Sequence, residues 1–170
     1  MRFLCLVAGL LISSSALSAS FPAPTGTQYE GDVVRVKDGD TIVVLDAERV
    51  QHNIRMANID APEHAQPWGE RSKEHLSRLC FGKRVRVVVT DQDRHWEREV
   101  ALIVADGVES NTAQVAAGMA WVYDRYNRDT RLPSIQSEAR AARRGLWADQ
   151  LPIPPWEFRR EKRGGAPARP

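Results

Sequence analysis

A chain of 170 residues, 42% hydrophobic and 27% charged, suits one compact domain around one core and is short for two. A formal charge of +2, from 24 basic and 22 acidic residues, excludes a polyanion binder that works through a global positive field, and equally a disordered acidic tail. Two cysteines, Cys5 and Cys80, exclude a disulfide-rich scaffold and any multi-cysteine zinc site.

At the N-terminus Arg2 precedes an apolar run, Phe3 to Ile12, and then small residues from Ser13 to Ser20. A basic start, a short apolar stretch and a small-residue cleavage zone describe a signal peptide over residues 1–20. The run is shorter than the roughly 20 apolar residues that span a membrane. The expectation is a secreted or periplasmic chain, detached from the membrane, that starts near Ala19 to Phe21 and keeps only Cys80, a small buried hydrophobe at a helix end.

Residues 27–37, 41–45 and 49–59 alternate apolar and polar positions and are rich in β-branched residues, which predicts three consecutive antiparallel strands. Asp38-Gly39 signals a two-residue hairpin between the first and second, and Asp46-Ala47-Glu48 a looser turn before the third. Over 69–81 the period becomes helical: Ser72, Leu76, Leu79 and Cys80 share a face and Gly82 ends it. Strands follow at Arg84–Val89 and Glu99–Ala105, separated by the polar loop Asp91 to Glu97. A helix over about Ser110–Ala117 presents Thr112, Val115, Ala116 and Met119 inward, and a last helix from Pro133 carries Ile135, Ala139, Ala142 and Leu146 to a basic end at Arg143-Arg144-Gly145. The sum is an α+β, mainly β, domain over 21–156: a five-stranded oligonucleotide/oligosaccharide-binding (OB) fold barrel with about three helices.

From Glu157 to Pro170 five basic residues face two acids, so this stretch is +3 while residues between it and the signal peptide are about −2. A solvated, disordered tail over 157–170 is the expectation, with a phosphate-binding arm as the alternative.

Chemistry concentrates at strand ends. Asp40 follows the first hairpin; Asp60 and Glu63 stand in Ile59-Asp60-Ala61-Pro62-Glu63, where Pro62 stiffens the exit. Asp40, Asp60 and a carbonyl such as that of Ala61 are hard oxygen ligands that suit Ca2+, and Mg2+ less well. Arg55 lies five residues before Asp60, an odd separation that puts the two on opposite faces of an ideal strand, so they share a site only where the strand end twists or bulges.

The ordered set Val36-Lys-Asp-Gly-Asp40-Thr41, Arg55 with Ile59-Asp60-Ala-Pro-Glu63, Gly82-Lys-Arg-Val, Arg98 before Ala105-Asp-Gly107, Asn111 with Gly118-Met-Ala120, and Ala139-Arg140 to Gly145-Leu-Trp147 resembles the staphylococcal nuclease-like (thermonuclease) family, as an exported bacterial member. The resemblance spans about residues 30–147. It implies calcium on Asp40, Asp60 and the carbonyl of Ala61, Glu63 as general base toward water, and Arg55 and Arg98 as clamps on the scissile phosphate. These types suit a phosphodiester, whose transition state gathers negative charge that a cation and forked guanidiniums stabilise. The activity implied is a metal-dependent endonuclease on DNA and RNA without strong sequence preference, leaving 3′-phosphate ends, with single strands favoured and the protein a monomer. The alternative is an inactive OB-fold module that only binds nucleic acid.

One segment departs from the family pattern. Asp93-Arg94-His95-Trp96-Glu97-Arg98 is one residue longer and lacks a glycine, so counting forward puts the arginine position on Glu97 and counting back from Asp106-Gly107 puts it on Arg98. The backward count is preferred, because strand register slips less readily than a loop lengthens. Arg94, His95 and Trp96 are candidate substrate contacts, as are Tyr123 and Tyr126. Both Glu63→Gln and Arg55→Ala are expected to cut turnover by orders of magnitude and leave the fold intact.

Overall fold

The structure, a computed structural model, describes residues 26–164, so the expected signal peptide and residues 165–170 lie outside the described residues. The chain begins as an antiparallel meander, β1 (Gln28–Val36), β2 (Thr41–Asp46) and β3 (Gln51–Met56), followed by a two-residue strand β4 (Ile59–Asp60) and helix α1 (Gly69–Cys80). Then come β5 (Arg84–Asp93), β6 (Arg98–Ala105), β7 (Val108–Glu109), α2 (Ser110–Ala116), β8 (Trp121–Val122), α3 (Leu132–Ala141), a 3-10 turn at Gly145–Ala148, and α4 (Pro155–Lys162). Strands run in the order β3-β2-β1-β5-β6-β7, and parallel pairing of β3 with β6 closes five of them into a barrel. Closure removes the open sheet edges that a meander would otherwise expose.

Alternation explains what fills the barrel. Ile42, Val44, Ile54, Met56, Val85, Val87, Ala101 and Ile103 point inward from four strands, and Leu76 and Cys80 of α1 join the same core. On β1 the inward residues are Val33 and Val36, three apart, because a bulge between Val33 and Arg35 resets the period. Cys80 is a free thiol; burial pushes it up to about 12, which keeps it unreactive.

Five local expectations change. The link from β1 to β2 is a four-residue loop, 37–40, closed by the Lys37 amide on the Thr41 carbonyl at 2.8 Å, and not a two-residue hairpin. The strand expected over 49–59 is two strands, broken at Ala57-Asn58, where Asn58 takes a left-handed φ of 68°. β5 continues past Val89 to Asp93, because a bulge between Val89 and Asp91 carries the polar residues beyond the core while they still pair with β6. On α2 the buried residues are Ser110, Asn111, Gln114 and Val115: of the inward face expected, Val115 is buried, while Thr112, Ala116 and Met119 are only partly so, because Asn111 and Gln114 turn inward to satisfy backbone groups. The helix from Leu132 ends at Ala141: Arg143 and Gly145 adopt left-handed φ values of 51° and 54°, so Leu146 is delivered to the core by the 3-10 turn and Ala142 is exposed.

The stretch expected as a solvated tail from Glu157 is helical as far as Lys162. Pro155 occupies the favoured first turn of α4. Trp156 stacks on Tyr123, centroids 5.4 Å apart and planes at 4°, and meets Trp121 edge-on at 5.7 Å. A second small apolar cluster, Trp121, Ala139, Leu146 and Trp147, thereby holds α4 against the end of the barrel. Among the described residues no helix is long and apolar enough to cross a membrane.

Candidate functional site

Asp40 sits where the 37–40 loop enters β2. Its carbonyl accepts the Met56 amide at 2.8 Å, its Oδ2 accepts the Ala61 amide at 2.6 Å, and its Oδ1 accepts the Thr41 hydroxyl at 3.0 Å. The loop is held from below: the Gln114 side chain donates to the Gly39 carbonyl at 2.6 Å. Gly39 is there for space and not for a left-handed φ, since a Cβ would lie 1.8 Å from Ser72 Oγ and 2.7 Å from the Ala61 Cβ. Burial, and then the charge of Asp40, push the neighbouring Asp38 carboxyl up to about 7.

The turn at Ala57-Asn58 resolves the parity problem between Arg55 and Asp60. Left-handed Asn58 folds β4 back from β3, and Asn111 pins the bend by donating to the Ala57 carbonyl at 3.0 Å and the Ala101 carbonyl at 3.2 Å. Asp60 then faces Arg55, whose Nη2 donates to Asp60 Oδ1 at 2.7 Å while Nη1 pairs with Asp40 Oδ2. Burial works against the Arg55 charge, but Asp40 and Asp60 outweigh it and hold the guanidinium above its ordinary value. Burial likewise raises Asp60, against the pull of Arg159 and Arg55. Arg55 is therefore a structural counter-ion as well as a site residue. Its removal strands the buried Asp40 and takes from Asp60 one of its two guanidinium partners, which revises the expectation that Arg55→Ala spares the fold.

Glu63 lies on the loop after Pro62. Its amide meets the Gln66 side-chain carbonyl at 3.2 Å and its carbonyl accepts the Gln66 amide at 2.8 Å. Gly69 closes this loop, since a Cβ there would come within 2.0 Å of the Glu63 carbonyl oxygen. Gln66 also donates to the Ile153 carbonyl at 2.6 Å, tying the loop to the segment that leads into α4.

From α4 comes the residue that sequence reasoning missed. Arg159 Nη2 donates to Asp60 Oδ2 at 2.6 Å, and its Nη1 to Glu63 Oε1 at 2.6 Å and Asp60 Oδ1 at 3.2 Å. These carboxylates hold Arg159 charged. The available signal was Pro154-Pro155 ahead of a run of helix formers with Trp156 and Phe158, a start pattern that the basic composition masked.

Asp40, Arg55, Asp60, Ala61 and Glu63, with Arg159, thus converge at one end of the barrel. Arg98 is placed differently. It opens β6 as the strand partner of Asp93 and donates to Asp93 Oδ2 at 2.7 Å. The β3–β6 register sets Val100 beside Arg55, so Arg98, two residues earlier, shares the sheet face of Arg55 while its guanidinium is turned to Asp93. Glu97 lies in the turn before β6 with a left-handed φ of 47°, off the strand that Arg98 opens. Arg94, His95 and Trp96 form the exposed tip of that hairpin, with Arg98 5.9 Å over the Trp96 ring. Tyr123 is engaged by Trp156 and Tyr126, whereas Tyr126 stays 56% exposed with Arg125 5.4 Å over its ring.

The donor set can be judged on its chemistry. The Asp40 and Asp60 carboxylates are hard oxygen donors, and both are already paired with guanidinium groups, so the site is built to receive positive charge. Among the described residues no three acidic, histidine or cysteine side chains are arranged as a ready-made metal cage. An ion here would take Asp60 from Arg159.

Residues 53–149 match the profile of a family described as staphylococcal nuclease homologue. The match includes Arg55, Asp60, Glu63 and Arg98, while Asp40 and Arg159 fall outside it. The chain is 46% identical over 132 residues to an uncharacterized endonuclease of Escherichia coli, covering 78% of this chain and 86% of that one. It is 34% identical over 165 residues to a micrococcal nuclease of Shigella flexneri, covering 91% and 94%. A staphylococcal-like nuclease of Oryza sativa is 41% identical over 115 residues, 68% of this chain and 34% of the plant protein.

Proposed function

We propose, from the premise that this chain belongs to the staphylococcal nuclease family, that it is an exported, calcium-dependent endonuclease acting on DNA and RNA with little sequence preference and favouring single strands. As a member of that family it hydrolyses phosphodiester bonds within nucleic acids. The observation that carries the finer reading is the meeting of Asp40, Arg55, Asp60 and Glu63, drawn from three chain segments, at one end of the barrel.

Each residue has a task set by its surroundings. Asp40 and Asp60, 5% and 1% exposed, are fixed by backbone and guanidinium bonds and would hold the ion. A hard divalent cation bound there supplies positive charge opposite the phosphate and lowers the pKa of a water. Arg55, locked by the same two carboxylates, presents a preoriented cation to the phosphate oxygens at no reorganisation cost during reaction. Glu63 is the accessible carboxylate of the three, with its side chain 41% exposed, so it is the one placed to take a proton from water. Arg159 holds Glu63 Oε1, so that oxygen can take a proton only once Arg159 lets go.

A digest of single-stranded DNA, double-stranded DNA and RNA, run with calcium and again with chelator, tests this reading. Cleavage that needs calcium and is lost in Glu63→Gln supports it. Intact substrates at every calcium concentration would instead identify a binding module.

A further inference from the structure

The basic residues of α4 are not spread evenly. A cleft of about 240 Å³ opens beside Glu63, and its other walls are Phe158, Arg159, Lys162 and Arg163, all from the end of α4. We infer that this cleft is a second phosphate subsite, which takes the phosphodiester next to the scissile one on the Glu63 side, with Phe158 as the apolar wall for its sugar or base.

Three observations carry the inference. First, the cleft shares Glu63 with the reaction centre, so a strand with one phosphate at Arg55 and Asp60 and another in the cleft passes the general base between them. Second, the cations have direction. Basic residues in a last helical turn are accounted for by the helix dipole, but that does not turn Arg159 inward onto Asp60 and Glu63 or fold Lys162 over Phe158, 4.9 Å from the ring centroid. Third, the volume is below the several hundred Å³ of pockets that enclose small molecules, and it is open, which suits one segment of a continuing polymer. Arg159 links the two places: the fork now spent on carboxylates is the group that a phosphate in the cleft would attract by bidentate hydrogen bonds. That exchange clears Glu63 as substrate arrives.

This inference rests on the nuclease reading, and its test separates the two. Binding of a fluorescent oligothymidylate to the full chain is followed by anisotropy in chelator, across about 50 to 200 mM salt, for wild type and for Lys162→Gln/Arg163→Gln. Both side chains are exposed at the helix end, so the fold should survive, which a melting curve checks. The expected result is about tenfold weaker binding at the low-salt end and a salt slope smaller by about 1.4, the share of two single-strand phosphate contacts. With calcium the same variant should raise KM for the oligonucleotide substrate. Unchanged affinity and slope in the variant, with wild type still cutting, overturn the subsite and leave the nuclease reading standing. Variant-dependent binding by a chain that cuts nothing supports the subsite and overturns the nuclease reading.

Discussion

The candidate site has two sides that are built differently. On the barrel side Asp40 and Asp60 are buried and Arg55 is 15% exposed between them, and they are set by strand register and by the amides of Met56 and Ala61. On the other side Glu63 and Arg159 are one-third or more exposed and stand on a loop and a short terminal helix, joined by side-chain bonds alone. Burial makes the first side costly to alter and rigid. Exposure makes the second cheap to rearrange. A phosphodiesterase needs both, a fixed charge pattern for the transition state and a base that can change partners.

Substitutions can break this contrast. Arg55→Ala should have the largest effect, costing about 3–5 kcal/mol of folding stability because buried Asp40 loses its cation and Asp60 keeps only Arg159, and removing activity as well; urea denaturation measures the first. Retained stability would mean that the barrel side is as adaptable as the other. Glu63→Gln should lower kcat by about 10²–10⁴ with melting close to wild type. Gly39→Ala, whose added methyl meets Ser72 and Ala61, should cost about 1–3 kcal/mol by overpacking, and should reduce activity by shifting Asp40. Arg159→Ala should tighten calcium binding several-fold in titration calorimetry, because the cation no longer displaces a guanidinium from Asp60; unchanged or weaker binding would show that Arg159 does not compete.

The smallest effect lies away from the site and checks that rigidity is general to the barrel. His52 bridges Asp46 at 2.9 Å and Glu99 at 3.3 Å, and Glu99 also accepts the Tyr29 hydroxyl. Partial burial works against its charge, yet the two acids outweigh it and raise His52 above its ordinary value. A raised histidine stabilises fully below its unfolded pKa, and the contribution fades as pH rises through the folded value. His52→Gln should therefore cost up to about 1 kcal/mol near pH 6 and almost nothing near pH 9.

Legibility in the sequence followed range. Strand and helix identities were readable because each rests on a period within a few residues, and Asp40, Arg55, Asp60 and Glu63 were readable as candidates because their types and order match a family pattern. The 37–40 loop misled because Asp-Gly favours a tight hairpin locally, while the reason for Gly39 is a helix and a loop that pack on it from elsewhere in the chain. Leu146 misled in the same way. Its spacing continues a helical face, but two left-handed residues end the helix before it.

The sequence by itself determined the barrel class and which acidic and basic residue types stand at its strand ends, since alternation and residue type are local properties of the chain. Tertiary structure decided which cations reach those acids. It turned Asp60 back onto Arg55 at Asn58, faced Arg98 toward Asp93, and brought Arg159 across 96 positions of sequence to Glu63. No period or motif encodes such meetings, because they arise only when Trp156 packs on Tyr123 and the closed barrel fixes where the rest of the chain can go.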